Sequence, residues 1–179
     1  MTESYDSAPQ PPGRRRLVLI VLFLLVLAGA GGAIWWMRDS APLLDGAILA
    51  EHHERWIADP LEDYDLVLVV HLDGQDQQRH ELAVRGSEVV SQTLDGRLIA
   101  RPSDGYSIRG LYNTLEEEIE LAKKHRARGA TTLRARFLER PVVPVIFKRL
   151  TTRVDANSVV IRVDSLSVPD VGLIYPVPE

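Results

Sequence analysis

Apolar and polar residues divide the chain into one uniformly apolar run and a longer region in which the two kinds alternate. The run begins at Leu17, ends at Met37 and contains no charged or amide side chain. About 21 residues with a rise of about 1.5 Å each form a helix about 31 Å long, which is enough to span a bilayer. Arg14, Arg15 and Arg16 directly precede it, and this positive flank favours a cytoplasmic N-terminus. The pattern therefore predicts a single-pass transmembrane signal-anchor.

The same run supports two other interpretations. Ala28, Gly29 and Ala30 fit a small-x-small signal-peptide cleavage site, and cleavage there would release a secreted soluble domain. Apolar character continues to Met37, which favours the uncleaved anchor. The spacing of Ala28 and Gly32 also permits close helix approach, which suggests a weak homodimer through the transmembrane helix.

Shifts in composition divide the chain into five predicted segments. They are a disordered cytoplasmic tail at 1–13, the transmembrane anchor at 14–38, a linker at 39–43, an extracytoplasmic domain at 44–168 and a proline-rich tail at 169–179. This organisation predicts a protein of the cell membrane that contacts the lipid bilayer through residues 17–37.

The periodicity of the extracytoplasmic domain predicts two helices and six strands. The helices are expected at 44–58 and, after an N-cap at Ser107, along an apolar stripe that includes Ile108, Leu111 and Leu115. The strands are expected at 64–73, 79–85, 88–94, 131–138, 145–154 and 158–168. The order α-βββ-α-βββ predicts an α+β fold, with a mostly antiparallel sheet and helices packed on one face.

Composition narrows the classes of function. Without residues 1–38, 141 of the 179 residues remain. This part keeps 17 of the 21 Lys and Arg and 23 of the 25 Asp and Glu, so its formal charge is about −6. An acidic domain disfavours nucleic acid as a partner, because phosphate binding needs a cationic face. The absence of cysteine excludes disulfides, thiolate catalysis and cysteine-ligated metals.

Histidines are the most prominent candidates for metal or acid–base chemistry. His52, His53 and Glu54 are adjacent, but no second histidine completes a His-Glu-x-x-His motif, so a solvated helix face is predicted. His71 and His80 would lie opposite one another if their hairpin centred on residues 75–76. A metal-dependent envelope hydrolase using this pair is therefore an alternative hypothesis.

The other polar clusters have ordinary structural interpretations. The carboxylates of Glu116, Glu117, Glu118 and Glu120 lie on one helix, and the cations that end this helix match its dipole. Ser103 and Ser107 lack a nucleophile-elbow context, and residues 155–157 lack the ligands of a calcium loop. Trp56, Tyr64 and Tyr112 are predicted core aromatics. We therefore predict no catalytic, cofactor-binding or metal-binding residue.

Short landmarks in residues 50–168 resemble an uncharacterised family of bacterial envelope proteins, a domain of unknown function. The landmarks are Trp56 on the first helix, Asp63-Tyr64 at the first strand, Ser107-Ile108 and Leu111-Tyr112 on the second helix, and a loose match over 137–144. The chain departs from the family pattern in lacking cysteines after the first strand and a Gly-Tyr-Pro turn. The resemblance implies an extracytoplasmic, lipid-tethered or secreted domain and implies no activity.

These observations together predict a non-enzymatic domain that binds another, unknown envelope protein. The prediction rests on a self-sufficient domain that follows an anchor and carries no catalytic triad, metal-ligand set or phosphate loop.

Overall fold

The computed structural model describes residues 41–125, 130–152, 156–169 and 171–176. Residues 41–179 belong to one compact unit. The predicted cytoplasmic tail and the predicted anchor at 14–38 lie outside the described residues. No helix within the described ranges is long and apolar enough to cross a membrane. The predicted fold class, which included a transmembrane helix, and the description of the chain as a single-pass transmembrane protein are corrected accordingly.

Within the part of the chain that the structure describes, two α-helices and one short 3₁₀ turn accompany the sheet. Helix α1 is Gly46–Ala58 and helix α2 is Ile108–Lys124, with the 3₁₀ turn at Asp104–Tyr106 directly before α2. The Asp45 carboxylate accepts the N–H groups of Ala47 and Ile48, both at 2.9 Å, and so caps the start of α1.

The dominant element is an antiparallel sheet of eight strands. They are β1 (Tyr64–Leu72), β2 (Gln78–Arg85), β3 (Glu88–Leu94), β4 (Arg97–Leu98), β5 (Thr131–Phe137), β6 (Pro144–Thr151), β7 (Val159–Val168) and β8 (Gly172–Pro176). Their order is β4-β3-β2-β1-β7-β6-β5, and β8 also pairs with β7. Strand β1 runs along one edge of β7, while β6 and β8 pair with successive halves of the other edge.

The prediction of six strands is wrong because two strands have weak local signals. Strand β4 has only two residues, too few for an alternating pattern to be visible. Strand β8 lies within the predicted proline-rich tail, where Gly172 adopts a φ of 82° after the turn from β7. Proline at the end of a strand is compatible with pairing, and Pro176 lies opposite Ser165. The result is a domain that is mostly sheet.

The core lies between the helices and one face of the sheet. Alternate residues of β1 are buried together with the apolar stripe of α2, and the best buried side chains include Leu66, Leu68, Ile108, Tyr112 and Leu115. The opposite face of β1, β2 and β7 carries ion pairs, such as Arg79 with Asp164 at 3.2 Å. This division follows from the period of two along a strand. It places the end of α1, the start of β1 and the start of α2 around one surface cleft.

Candidate functional site

The cleft lies where α1 ends, β1 begins and α2 begins, and its volume is about 200 Å³. We call it the Trp56 cleft. Its apolar and aromatic lining consists of Trp56, Ile57, Pro60, Leu61 and Tyr64. Its other lining residues are Ser87, Ser107 and Arg109. The cleft therefore combines an apolar wall with one cationic side chain.

The start of α2 uses two hydroxyl groups of the cleft as structural hydrogen-bond partners. The Ser107 hydroxyl accepts the Gly110 N–H at 3.0 Å and lies within donating distance of the backbone oxygen and carboxylate of Asp104. The Tyr64 hydroxyl accepts the Ile108 N–H at 3.0 Å. The first N–H groups of a helix have no partner within it, and here both hydroxyls supply one.

Burial also makes these hydroxyls poor proton donors and nucleophiles. Tyr64 is only 3% exposed, and desolvation raises the pKa of its phenol, against the smaller opposing effect of its hydrogen bond with Ile108. Ser107 is buried as well. The Ser107 hydroxyl contacts the Asp104 carboxylate, but it also accepts the Gly110 N–H and so is engaged in capping α2.

The apolar wall extends into a group of stacked rings. Trp56 is half-buried, and its ring centroid lies 5.3 Å from that of Tyr112 and 5.7 Å from that of His53. Beside it, Ile57 is 59% exposed at the end of α1. An aliphatic side chain of that exposure next to a fixed indole offers a surface for an apolar ligand group.

Among the described lining residues, Arg109 in the first turn of α2 is the only charged one. Its guanidinium donates a hydrogen bond to the backbone oxygen of Ser87 at 3.1 Å, which joins α2 to the turn between β2 and β3. The Nε atom lies 3.9 Å from an Asp104 carboxylate oxygen. Histidine, aspartate and glutamate are absent from the cleft lining in the part of the chain described. The arrangement can bind an apolar group and accept an anion, and the carboxylate that contacts Ser107 and Arg109, that of Asp104, is not itself part of the lining.

A second groove lies between α1 and α2 and has a volume of about 300 Å³. Its apolar residues are Leu49 and Ile119 with the small residues of α1, and exposed Glu116, Glu120 and Lys123 also line it. Glu120 and Lys123 pair at 2.8 Å. Exposed ion pairs are a weak basis for binding, so we place the candidate site at the Trp56 cleft.

The adjacent histidines of α1 turn to different partners. The His53 Nδ1 atom lies 2.7 Å from a Glu116 oxygen, and its ring stacks on Tyr112 at 4.7 Å. The His52 ring stacks on Phe137 at 4.1 Å. Both rings are partly buried, so the predicted solvated helix face is wrong here. Across the described residues, no group of three or more candidate ligands is arranged around a metal position.

His71 and His80 lie on opposite faces of the sheet. Val70 pairs with Gln78, and His80 therefore lies opposite Leu68, whereas His71 pairs with Val160 of β7. His80 is buried against the ring of Tyr106, at 4.1 Å, and His71 is exposed. The hairpin register differs from the one that would have joined the two histidines, so they cannot form one site.

The other sequence candidates do not converge on a site. Glu118 forms an ion pair with Arg149, while Glu116 contacts His53 and Glu120 pairs with Lys123. Residues 126–129, which contain two of the cations after α2, and Asp155 lie outside the described residues. Ser103 is exposed and does not line the Trp56 cleft.

Three lining residues of the Trp56 cleft stand out in the sequence, but the sequence does not indicate that they meet in a cleft. Trp56, Tyr64 and Ser107 were singled out as core or cap residues, whereas Ile57, Arg109 and Ser87 have no local signal. Comparison with protein-family models, with curated proteins and with solved structures finds no match. The resemblance to a bacterial envelope family and the location outside the cytoplasm stay predictions.

Proposed function

We propose that the chain is a non-enzymatic binding domain that holds an apolar segment of another protein in the Trp56 cleft. The observation that carries this proposal is the pairing of a half-buried indole, Trp56, with a largely exposed aliphatic neighbour, Ile57. Burying that aliphatic side chain against a ligand is favourable at about 25 cal/mol per Å² of apolar surface.

The chemistry of the lining supports binding over catalysis. General acid–base catalysis needs a titratable group within reach of the reacting atoms, and the lining residues consist of apolar side chains, a tyrosine, two serines and an arginine. The hydroxyls of Tyr64 and Ser107 already serve the start of α2. The hydrolase alternative loses its basis because His71 and His80 lie on opposite faces of the sheet.

The test is a calorimetric titration of the full chain with acetyl-Gly-Gly-X peptides, in which X is Leu, Phe, Trp or Ser. We expect the apolar peptides to bind and the serine peptide to bind at least about tenfold more weakly, because about 1.4 kcal/mol of apolar burial corresponds to tenfold in Kd. Equal affinities for all four peptides, or no binding of any, would contradict the proposal.

A matched pair of variants locates the binding. Ile57→Ser removes the exposed side chain of the cleft, and Ile48→Ser changes an isoleucine of the same helix that is 37% exposed and lies outside the lining. We expect about tenfold weaker binding in the first variant and wild-type binding in the second. The same loss in both variants would place the binding elsewhere.

A further inference from the structure

We propose that the Trp56 cleft recognises the C-terminal end of a partner polypeptide, with the terminal carboxylate held by Arg109 and an apolar last side chain held by Trp56 and Ile57. This inference rests on the proposed function and adds the chemistry of the ligand. It follows from the availability of the guanidinium, the charge of the lining and the size of the cleft.

The Arg109 guanidinium has donors left to bind an anion. A guanidinium carries five N–H donors in a planar fork, and the described contacts of Arg109 are one hydrogen bond to Ser87 and the long approach of Nε to Asp104. The side chain is 50% exposed. It is therefore held in place by one backbone hydrogen bond and keeps further donors, which a carboxylate can accept in bidentate fashion.

The charge of the cleft lining is positive and favours an anionic ligand group. Arg109 is the one charged residue among the described lining residues. The Asp104 carboxylate lies 3.9 Å from the Arg109 Nε atom, and it is also hydrogen-bonded to the hydroxyl of Ser107. The carboxylate is thus partly occupied by the cap of α2. A ligand carboxylate would accept hydrogen bonds from the Arg109 guanidinium, whose positive charge Asp104 only partly balances.

The size of the cleft suits the end of a chain that carries one large side chain. Its volume of about 200 Å³ is small for a ligand pocket, which usually measures about 300–1,000 Å³. The hydrogen bond from Arg109 to Ser87 joins α2 to the β2–β3 turn beside the cleft. A chain that ended there would place its carboxylate at the guanidinium without needing an exit.

The test compares free acids with amides. Each acetyl-Gly-Gly-X peptide, with X being Leu, Phe or Trp, is titrated into the full chain in both C-terminal forms. A charge-assisted hydrogen bond contributes enough to change Kd by about tenfold or more, so we expect each acid to bind at least tenfold more tightly than its amide. The ratio should fall to about one in Arg109→Gln and stay at the wild-type value in Arg101→Gln, which removes an exposed arginine outside the lining.

Each outcome separates the two proposals. Equal binding of acid and amide, with the apolar preference kept, overturns the carboxylate inference and leaves the proposed function standing. A preserved acid preference in Arg109→Gln also overturns it, provided that circular dichroism shows a folded variant. If Arg109→Gln unfolds, Arg109→Lys keeps the charge but loses the planar fork, and an undiminished acid preference there would overturn the bidentate geometry. An amide series carrying an internal Asp tests the side-chain carboxylate, and tight binding of that series overturns the commitment to a chain end.

Discussion

The phenolic oxygen of Tyr64 accepts the backbone N–H of Ile108 at 3.0 Å. This bond joins the first residue of β1 to the first residue of α2, two positions far apart in the sequence. Both residues are essentially buried, so water cannot replace either partner. The bond holds the start of α2 against the start of β1, two of the elements that surround the Trp56 cleft.

Loss of this bond should be costly. In Tyr64→Phe the Ile108 N–H stays buried without its acceptor, and an unsatisfied buried donor costs about 1–3 kcal/mol. We expect the free energy of unfolding, measured by urea denaturation, to fall by that amount. Tyr106→Phe is the control, because no hydrogen-bond partner of the Tyr106 hydroxyl is found in the described ranges. A loss of equal size in the control would show that the effect is not due to the Ile108 bond.

Gly110 is required by a close backbone approach. A Cβ atom added there would overlap the backbone oxygen of Asp104 and lie 2.6 Å from the carbonyl carbon of Gly105. Backbone atoms of the 3₁₀ turn cannot move aside cheaply, and overpacking costs about 1–3 kcal/mol or more. This outweighs the gain of about 1 kcal/mol that alanine brings to a helix interior.

We therefore expect Gly110→Ala to lower the melting temperature and the free energy of unfolding, by about 2 kcal/mol. Gly105→Ala is the matched control within the same turn, because its added Cβ would meet only the Ser103 hydroxyl, at 3.9 Å. Wild-type stability is expected for the control. An equally stable Gly110→Ala variant would mean that the 3₁₀ turn does not pack on α2 as described.

The secondary structure was largely predictable, whereas the pairing of elements was not. Burial of one face repeats every 3.6 residues in a helix and every two in a strand, and the stripe after Ser107 was enough to locate α2. Nothing local indicates that Leu66 lies opposite Leu166. That pairing depends on the combined core, so the strand order and the eighth strand came from tertiary contacts.

The candidate site shows the same division. Trp56 and Tyr64 stand out in the sequence as aromatics on amphipathic elements, but a cleft between them exists only after β1 and α2 are packed. The register of the β1–β2 hairpin decides which face His80 occupies, and the polar connection of five residues between the two strands leaves that register undetermined by local sequence. Arg109 resembles any other exposed helical arginine until its distance to Ser87 is known.

Glu118 differs from the paired carboxylates Glu116 and Glu120 of α2 in being poorly exposed. The Glu118 side chain is 14% exposed and forms an ion pair with Arg149, which also donates to the Asn157 backbone oxygen at 2.9 Å. Removing one partner of a poorly solvated pair leaves the other charge uncompensated. We expect Glu118→Gln to lower the free energy of unfolding by about 1–3 kcal/mol, as measured in urea.

Glu117→Gln is the matched control, because that residue is exposed on the same turn and exposed charges contribute little. We expect a change within about 0.5 kcal/mol for this variant. If both variants lose the same amount, the helix dipole and not the Arg149 pair would explain the loss.

His80 should make the stability of the domain depend on pH. Its ring is 4% exposed, and neither ring nitrogen has a hydrogen-bond partner within the described part of the chain. Burial lowers the pKa of His80 below its ordinary value of 6.5, and the weaker attraction of Asp95 opposes this effect. As the pH falls below about 6.5, the His80 ring therefore takes up a proton in the unfolded chain before it does so in the folded chain. Stability is complete above that pH and declines as the pH falls toward the folded-state pKa.

The measurement is the free energy of unfolding in urea at pH 7.5 and at pH 5.5, for the wild type and two variants. One pH unit of unequal protonation corresponds to about 1.4 kcal/mol, so His80 should contribute to the acid loss by at most about that amount. His80→Leu removes the titrating ring without breaking a hydrogen bond of the described structure and should shrink the loss accordingly. His71→Gln changes an exposed histidine and should leave the acid loss at the wild-type value. If the free energy of unfolding of His80→Leu falls on acidification as much as that of the wild type, a group other than His80 takes up the proton.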